Sequence, residues 1–176
     1  MAILVCDKPE AYWLVRAEHL HIATFVVIQV EYETKADFEK EICQRLNLIQ
    51  ADLIVLAGYL SILDGERLKE FKDRIINIHP SLIPSFCGDK MYGMHVHNAV
   101  RASGVRFTGC TVHFVNEEVD GGAIILQEVV PVHFKDTAED IQKRVLVEEH
   151  KLLPRAIDLI SRGKIEIIDG RVNILK

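Results

Sequence analysis

The sequence predicts an α/β protein built on a doubly wound, mostly parallel sheet. In the first half of the chain, short apolar runs alternate with segments that have the apolar periodicity of a helix. Pro, Gly or a helix-capping residue marks most of the switches between them. Strands joined by helices at this rhythm pair in parallel, because the helix returns the chain to the start of the next strand.

The predicted strands are the segments richest in aliphatic and β-branched residues. The run at 2–6 is apolar throughout, as in a strand buried on both faces, and Asp7-Lys8-Pro9 ends it. A hairpin is predicted at the end of the chain, around Asp169-Gly170. In chain order, the predicted strands cover residues 2–6, 24–28, 52–57, 74–78, 107–115, 123–132, 164–168 and 171–175.

The predicted helices each carry an apolar stripe. Thr34 and Asp37 have the spacing of a capping box. Either Asp136 or Thr137 caps the last helix, which stops at Gly163. In chain order, the predicted helices cover residues 10–19, 34–48, 64–71, 94–103 and 137–161.

Length and composition restrict the class of protein. A chain of 176 residues with 49% hydrophobic residues suits one domain with one core, so we expect a single domain over residues 1–176. A net charge of -5, with basic residues interspersed among acidic ones, argues against a nucleic-acid partner. The longest apolar stretch is too short to span a bilayer, and the four cysteines form no CxxC pair. A soluble cytoplasmic protein without a membrane partner is expected.

Polar residues stand where two predicted strands end. Asn77 and His79 close the fourth strand, and Asp120 follows the fifth and precedes two glycines. Ligands of open parallel sheets bind at the carboxyl ends of the strands. Each feature alone has an ordinary explanation, a structural histidine or a tight turn, and only their combination indicates a site.

Four strings of residues carry a family resemblance. They are IVLAGY at 54–59, NIHPSLIP at 77–84, TGCTVHFV at 108–115 and VDGGAIILQ at 119–127. In this order they closely resemble the phosphoribosylglycinamide formyltransferase family, and the resemblance extends from the first strand to about residue 162. It implies the Rossmann-like sheet of the formyltransferases. It also implies transfer of a formyl group from 10-formyltetrahydrofolate, a co-substrate, to the amine of glycinamide ribonucleotide in purine biosynthesis, with small-molecule substrates and no metal.

The resemblance also implies roles for individual residues. It makes Asn77, His79 and Asp120 the catalytic group. The implied folate contacts are Lys35, Leu60, Ser61, Ile62, Leu63, Asn77, Val119 and Asp120. The implied ribonucleotide contacts are Ile78, Pro80 and Glu149.

This chemistry develops negative charge on the formyl oxygen when the amine attacks. Asn77 can donate a hydrogen bond to that oxygen, and a protonated His79 can donate another and supply a proton to the leaving nitrogen. An ionised Asp120 would favour the protonated histidine and orient a relay water.

Two alternatives to the transferase stay open. Compared with the family pattern, the sequence starts at the second strand, so the first strand-helix unit and its phosphate-binding turn are expected to be missing. A non-catalytic, truncated folate-binding relative is therefore one alternative, and a formyltetrahydrofolate hydrolase, which uses water as acceptor, is the other. A homodimer is one possibility for the oligomeric state.

The remaining histidines are assigned structural positions. His95 and His97 fall at a predicted helix start, where their spacing does not suit a metal pair. His113 lies in a strand near the proposed site, and we expect it to be a hydrogen-bonded support.

Overall fold

The computed structural model describes residues 3–59 and 69–176. Over these residues the chain is α/β, and its contacts divide it into two compact units, residues 1–52 and 53–176. Each unit is described by itself. The elements in order are β1 (Leu4–Cys6), α1 (Tyr12–His19), β2 (Thr24–Val26), a 3-10 turn (Gln29–Glu31), α2 (Lys35–Leu48), β3 (Ile54–Leu56), β4 (Ile75–His79), α3 (Met94–Ser103), β5 (Phe107–Phe114), β6 (Ile124–Pro131), α4 (Ala138–Ser161), β7 (Ile165–Ile168) and β8 (Arg171–Ile174).

The first unit is a strand-helix-strand with a further helix. β1 and β2 pair in parallel, with Val5 opposite Phe25, as the predicted rhythm requires. The hydroxyl of Thr34 accepts a hydrogen bond from the Asp37 backbone at 3.1 Å, which confirms the predicted cap of α2. Phe38 on that helix is fully buried.

The second unit contains a four-stranded sheet in the order β3-β4-β5-β6. β3 and β4 pair in parallel, whereas β5 pairs antiparallel with both of its neighbours. The short connection between β5 and β6 permits only antiparallel pairing, because a parallel pair needs a long crossover. The parallel pairs predicted for the first half of the chain, β1-β2 and β3-β4, are confirmed.

Helix α4 packs against β5, β6 and α3 and closes the core of the second unit. Its inward stripe includes Ile141, Val145 and Ala156, all fully buried. Thr137 caps the helix and forms a complete capping box with Asp140. Of the two residues predicted as its cap, Thr137 is therefore the correct one.

The C-terminal hairpin is the last of the predicted elements in the chain. β7 and β8 form the predicted antiparallel hairpin, with Ile168 opposite Arg171. The helix predicted at 64–71 falls mostly outside the described residues. Among the helices in the described part of the chain, none has both the length and the apolar composition needed to cross a membrane.

Candidate active site

Strand β4 positions the first two site residues. Its start is buried, with Ile75 and Ile76 at 1% and 0% exposure, so the strand is fixed between its two neighbours. Asn77 lies opposite His113 of β5, and His79 lies two residues further along. Residues two apart in a strand point to the same face, so both polar side chains stand on one side of the sheet.

Asp120 is held by a tight turn that follows β5. Its φ of +57° lies in the left-handed region, which Asp tolerates better than most residues. The Gly121 backbone donates to the Glu118 carbonyl at 3.1 Å and closes the turn. Gly122 cannot carry a side chain, because a Cβ there would overlap the Phe114 carbonyl. The turn explanation of this segment is thus correct, and the turn also delivers the carboxylate to the site.

The structure brings the three predicted catalytic residues into one cluster. Oδ2 of Asp120 lies 3.5 Å from Nδ1 of His79, and Oδ1 lies 3.6 Å from Nε2 of His113. The side chains of His79, His113 and Asp120 are only 5%, 2% and 10% exposed. A carboxylate between two buried imidazoles is an arrangement suited to proton transfer.

His113 links Asn77 to this cluster. Its Nδ1 donates to the Phe114 carbonyl at 2.8 Å, which leaves the lone pair of Nε2 to accept from Nδ2 of Asn77 at 3.3 Å. Burial lowers the pKa of His113, against the opposing effects of that backbone hydrogen bond and of Asp120, so the neutral ring is favoured. The hydrogen-bonded position predicted for His113 is present. Because Asn77 donates one amide hydrogen to His113, its second amide hydrogen is available for a ligand.

The loop after β4 contributes two backbone groups that the sequence did not reveal. The Phe86 carbonyl lies 2.9 Å from Nε2 of His79. Two residues later, the Gly88 N–H donates to Oδ2 of Asp120 at 2.9 Å. Phe86 has a φ of +53°, which is uncommon for a large side chain. Backbone groups carry no residue-type signal, so sequence alone could not have assigned them.

A buried hydrogen-bond network supports that loop. The Ser81 hydroxyl donates to the Ser85 carbonyl at 2.6 Å and lies 3.2 Å from the Phe86 carbonyl. The Thr111 hydroxyl donates to the Ser81 carbonyl at 2.7 Å and accepts from Gln127 at 3.0 Å. Ser81 and Thr111 are both fully buried. Ser81 belongs to the string at 77–84, yet nothing in the sequence indicated its place in this hydrogen-bond network.

Some of the other predicted contact residues lie beside the cluster. Ile78 and Pro80 flank His79 directly, and Val119 precedes Asp120 on an exposed part of the turn. Glu149 is on α4, where burial raises the pKa of its carboxyl group.

The remaining predicted folate contacts belong to the first unit or lie outside the described residues. Lys35 lies in the first unit, 3.3 Å from the buried Glu39. The predicted folate contacts Leu60, Ser61, Ile62 and Leu63 lie outside the described residues.

Two further titratable groups border the cluster. His97, on α3, is 2% exposed, and its pKa is lowered by burial and then by the nearby His79. Cys87 lies in the loop after β4, and its thiol pKa is raised by burial, then by Asp120 and Glu118. In the described ranges, no three His, Cys, Asp or Glu side chains are arranged to hold a metal ion.

Comparison with known proteins identifies the family. The sequence matches the formyl transferase family over residues 1–157. The chain belongs to this family. It is 44% identical over 156 residues to phosphoribosylglycinamide formyltransferase of Bacillus subtilis (strain 168). This alignment covers 89% of this chain and 77% of the Bacillus subtilis protein. It is also 41% identical over 167 residues to the trifunctional purine biosynthetic protein adenosine-3 of Gallus gallus. That alignment covers 95% of this chain but only 16% of the length of the Gallus gallus protein.

Solved structures show the same fold. Glycinamide ribonucleotide transformylase 1 from Symbiobacterium toebii matches with a TM-score of 0.93 at 39% identity, over 100% of this chain and 81% of that one. A formyltetrahydrofolate deformylase from Pseudomonas putida KT2440 matches with a TM-score of 0.84 at 26% identity, over 99% of this chain and 60% of that one. The resemblance inferred from the four strings and the α/β fold class are therefore confirmed.

Proposed function

We propose that this formyl transferase family member transfers the formyl group of 10-formyltetrahydrofolate to the amine of glycinamide ribonucleotide. The observation that carries the proposal is the buried cluster of Asn77, His79 and Asp120 at the end of β4. Relatives at 37% to 45% identity bear the name phosphoribosylglycinamide formyltransferase, which supports this choice of substrates.

In the proposed mechanism the cluster handles charge and protons. Attack of the amine on the formyl carbon places negative charge on the formyl oxygen. The second amide hydrogen of Asn77 donates a hydrogen bond to this oxygen. A protonated His79 provides a further donor and gives its proton to the folate nitrogen as the carbon-nitrogen bond breaks. The ionised Asp120, 3.5 Å from Nδ1, stabilises the positive charge on that ring and accepts the proton lost by the attacking amine through water.

The proposal also assigns residues to substrate binding. For the folate these are Lys35, Leu60, Ser61, Ile62, Leu63, Asn77, Val119 and Asp120, and for the ribonucleotide Ile78, Pro80 and Glu149. The raised pKa of Glu149 fits a partly buried carboxyl group that gains a polar partner when the ribonucleotide binds. The proposal includes a cytoplasmic location and a homodimer.

Product analysis tests the function. The chain is incubated with 10-formyltetrahydrofolate and glycinamide ribonucleotide, and the folate and ribonucleotide products are identified by mass spectrometry. Formylated ribonucleotide and tetrahydrofolate should appear in equal amounts, and His79→Ala should suppress both. Absence of formylated ribonucleotide with a folded chain would contradict the proposal.

Hydrolysis of 10-formyltetrahydrofolate is the second candidate. The likeness to the deformylase from Pseudomonas putida KT2440 favours it, although at 26% identity it is the more distant relative. The same experiment separates the two functions. A hydrolase releases formate and tetrahydrofolate whether or not ribonucleotide is present, whereas a transferase depends on the ribonucleotide.

A further inference from the structure

The surroundings of His79 decide which ring nitrogen is available for proton transfer. Nε2 lies 2.9 Å from the Phe86 carbonyl. A carbonyl oxygen only accepts hydrogen bonds, so Nε2 must carry a hydrogen in this geometry. Nδ1 faces Oδ2 of Asp120 at 3.5 Å. The nitrogen next to the carboxylate is therefore the one that can gain and lose a proton.

These two contacts compete when the ring is neutral. A neutral imidazole has one N–H, and the Asp120 carboxylate by itself would draw that hydrogen to Nδ1. The Phe86 carbonyl draws it to Nε2 instead. Only the second tautomer leaves a lone pair on Nδ1, which is needed to take up a proton there.

The Phe86 carbonyl has a specific anchor. The loop backbone turns back on β4 with Phe86 at a φ of +53°, a conformation that needs support from its surroundings. The Ser81 hydroxyl supplies this support, because it donates to the Ser85 carbonyl at 2.6 Å and lies 3.2 Å from the Phe86 oxygen. Ser81 is itself fully buried and is fixed by the Thr111 hydroxyl, which donates to its carbonyl at 2.7 Å.

We propose that Ser81 is a positioning residue that fixes the tautomer of His79 through the Phe86 carbonyl. The tautomer itself is a property of the folded chain. Its consequence for catalysis rests on the proposed function: Nε2 keeps its hydrogen throughout the reaction, and Nδ1 is the nitrogen that donates to the leaving group and is reprotonated.

Nuclear magnetic resonance of ¹⁵N-labelled histidine tests the tautomer directly in the substrate-free chain. His79→Gln identifies the signals of His79. Above the pH at which this ring loses its charge, wild type should carry the hydrogen on Nε2. Ser81→Ala should shift the population toward the Nδ1–H form, because the carbonyl is no longer held.

Ser85→Ala is the matched control. It makes the same chemical change in the same loop, its side chain is exposed, and its carbonyl remains to accept from Ser81. It should keep the wild-type tautomer. If Ser81→Ala does not fold, Ser81→Cys keeps the size of the side chain and weakens its donor, so it should produce the same shift.

Kinetics provide the second readout. Loss of one neutral hydrogen bond corresponds to a decrease in kcat of roughly 2- to 12-fold in Ser81→Ala, with the KM for the folate little changed. Ser85→Ala should have the wild-type kcat. An Nδ1–H tautomer in wild type, or an unchanged tautomer in folded Ser81 variants, would overturn the proposal. An inactive wild type with the expected tautomers would instead count against the proposed function alone.

Discussion

Asp120 is the residue on which the cluster depends most directly. Its two carboxylate oxygens face two different imidazoles, and the Gly88 N–H donates to one of them at 2.9 Å. The left-handed backbone of this residue aims the carboxylate into the cluster. Asn can adopt the same backbone conformation, so Asp120→Asn removes the charge while preserving the turn.

The first prediction concerns that charge. Asp120→Asn should lower kcat by about 10²- to 10⁴-fold. It should leave folate affinity nearly unchanged, because the amide of Asn has the same shape as the carboxylate and keeps one oxygen that can accept a hydrogen bond from the folate. His79→Ala should lower kcat by a similar factor. Because both residues act on one proton path, the double variant should be little worse than either single one. Steady-state kinetics and calorimetric titration of a folate analogue measure the two quantities.

Asp169→Asn is a matched control for this prediction. Asp169 has a φ of +49° in the exposed turn between β7 and β8, so the substitution makes the same chemical change in the same backbone conformation. It should have the wild-type kcat. Losses that multiply in the double variant would mean that Asp120 and His79 act independently.

The second prediction concerns pH and His113. Burial lowers the pKa of this ring below its ordinary value of 6.5, so the folded state favours the neutral form. The resulting stability is fully present above pH 6.5 and is lost as the pH falls through the folded-state pKa. Wild type should therefore lose more Tm on acidification from pH 7 to 5 than His113→Gln, by about 2–4 °C. Thermal unfolding followed by circular dichroism measures this.

The control for His113 is His95→Gln, on the exposed side of α3. It should retain the acid sensitivity of wild type. The charges of Asp120 and His79 also act on the pKa of His113, so the measurement is repeated in Asp120→Asn. If His113→Gln and wild type lose Tm in parallel, protonation of His113 does not limit the acid stability.

The site could be predicted from the sequence only as far as its side chains mark it. Asn77 and His79 stand at the end of a strand that the apolar sequence predicts, and Asp120 precedes two glycines. Their nearness across 41 to 43 residues of chain followed from the fold rule for strand ends. The Phe86 carbonyl and the Gly88 N–H could not be predicted, because every residue has these groups and only the loop conformation makes them specific.

At the scale of elements, α4 depends on its first turn. Thr137 accepts from the Asp140 backbone at 3.2 Å, and Asp140 accepts from the Thr137 backbone at 3.0 Å. Both bonds satisfy N–H groups that the helix itself cannot pair. This explains why Thr137 rather than Asp136 is the cap: Asp136 instead accepts from the His133 backbone at 2.7 Å and pairs with Arg144.

The third prediction follows from that cap. Thr137→Ala should lower the free energy of unfolding by about 0.5–2 kcal/mol, because the hydroxyl that accepts from Asp140 is lost. Thr137→Ser retains an acceptor at the same position and should lose much less. Chemical denaturation with an unchanged m-value measures the difference, and equal losses in both variants would contradict a role of the hydroxyl.

The elements that the sequence located best are those with end signals. The predicted helix at 94–103 coincides with α3, because Gly93 and Gly104 bracket it. Helix α1 starts at Tyr12 and not at residue 10, because the chain after Pro9 first forms a turn in which the Ala11 N–H donates to the Lys8 carbonyl. The apolar periodicity and the Gly or Pro residues at its ends identify an element. Its first residue is decided by hydrogen bonds in the preceding turn, which several sequences could make.

At the scale of the whole molecule, length and composition predict one domain, while the contacts define two compact units. The family match runs across both units, from residue 1 to residue 157. Asn77, His79, His113 and Asp120 all belong to the second unit, and Lys35 to the first.

The last prediction tests whether the chain unfolds as one domain. Trp13, the single tryptophan, lies on α1 in the first unit and reports on that unit by its fluorescence. Cys110 is fully buried on β5 in the second unit, and burial raises its thiol pKa to about 12, so its reaction with a thiol reagent reports on exposure of that core. In a variant with Cys6, Cys43 and Cys87 replaced by Ser, Ala and Ser, the two probes should give the same denaturant midpoint if the chain is one cooperative domain, as the sequence predicts. Two separated midpoints would establish the units as independent domains, and a folate analogue that raised only the later midpoint would locate its binding residues in that unit.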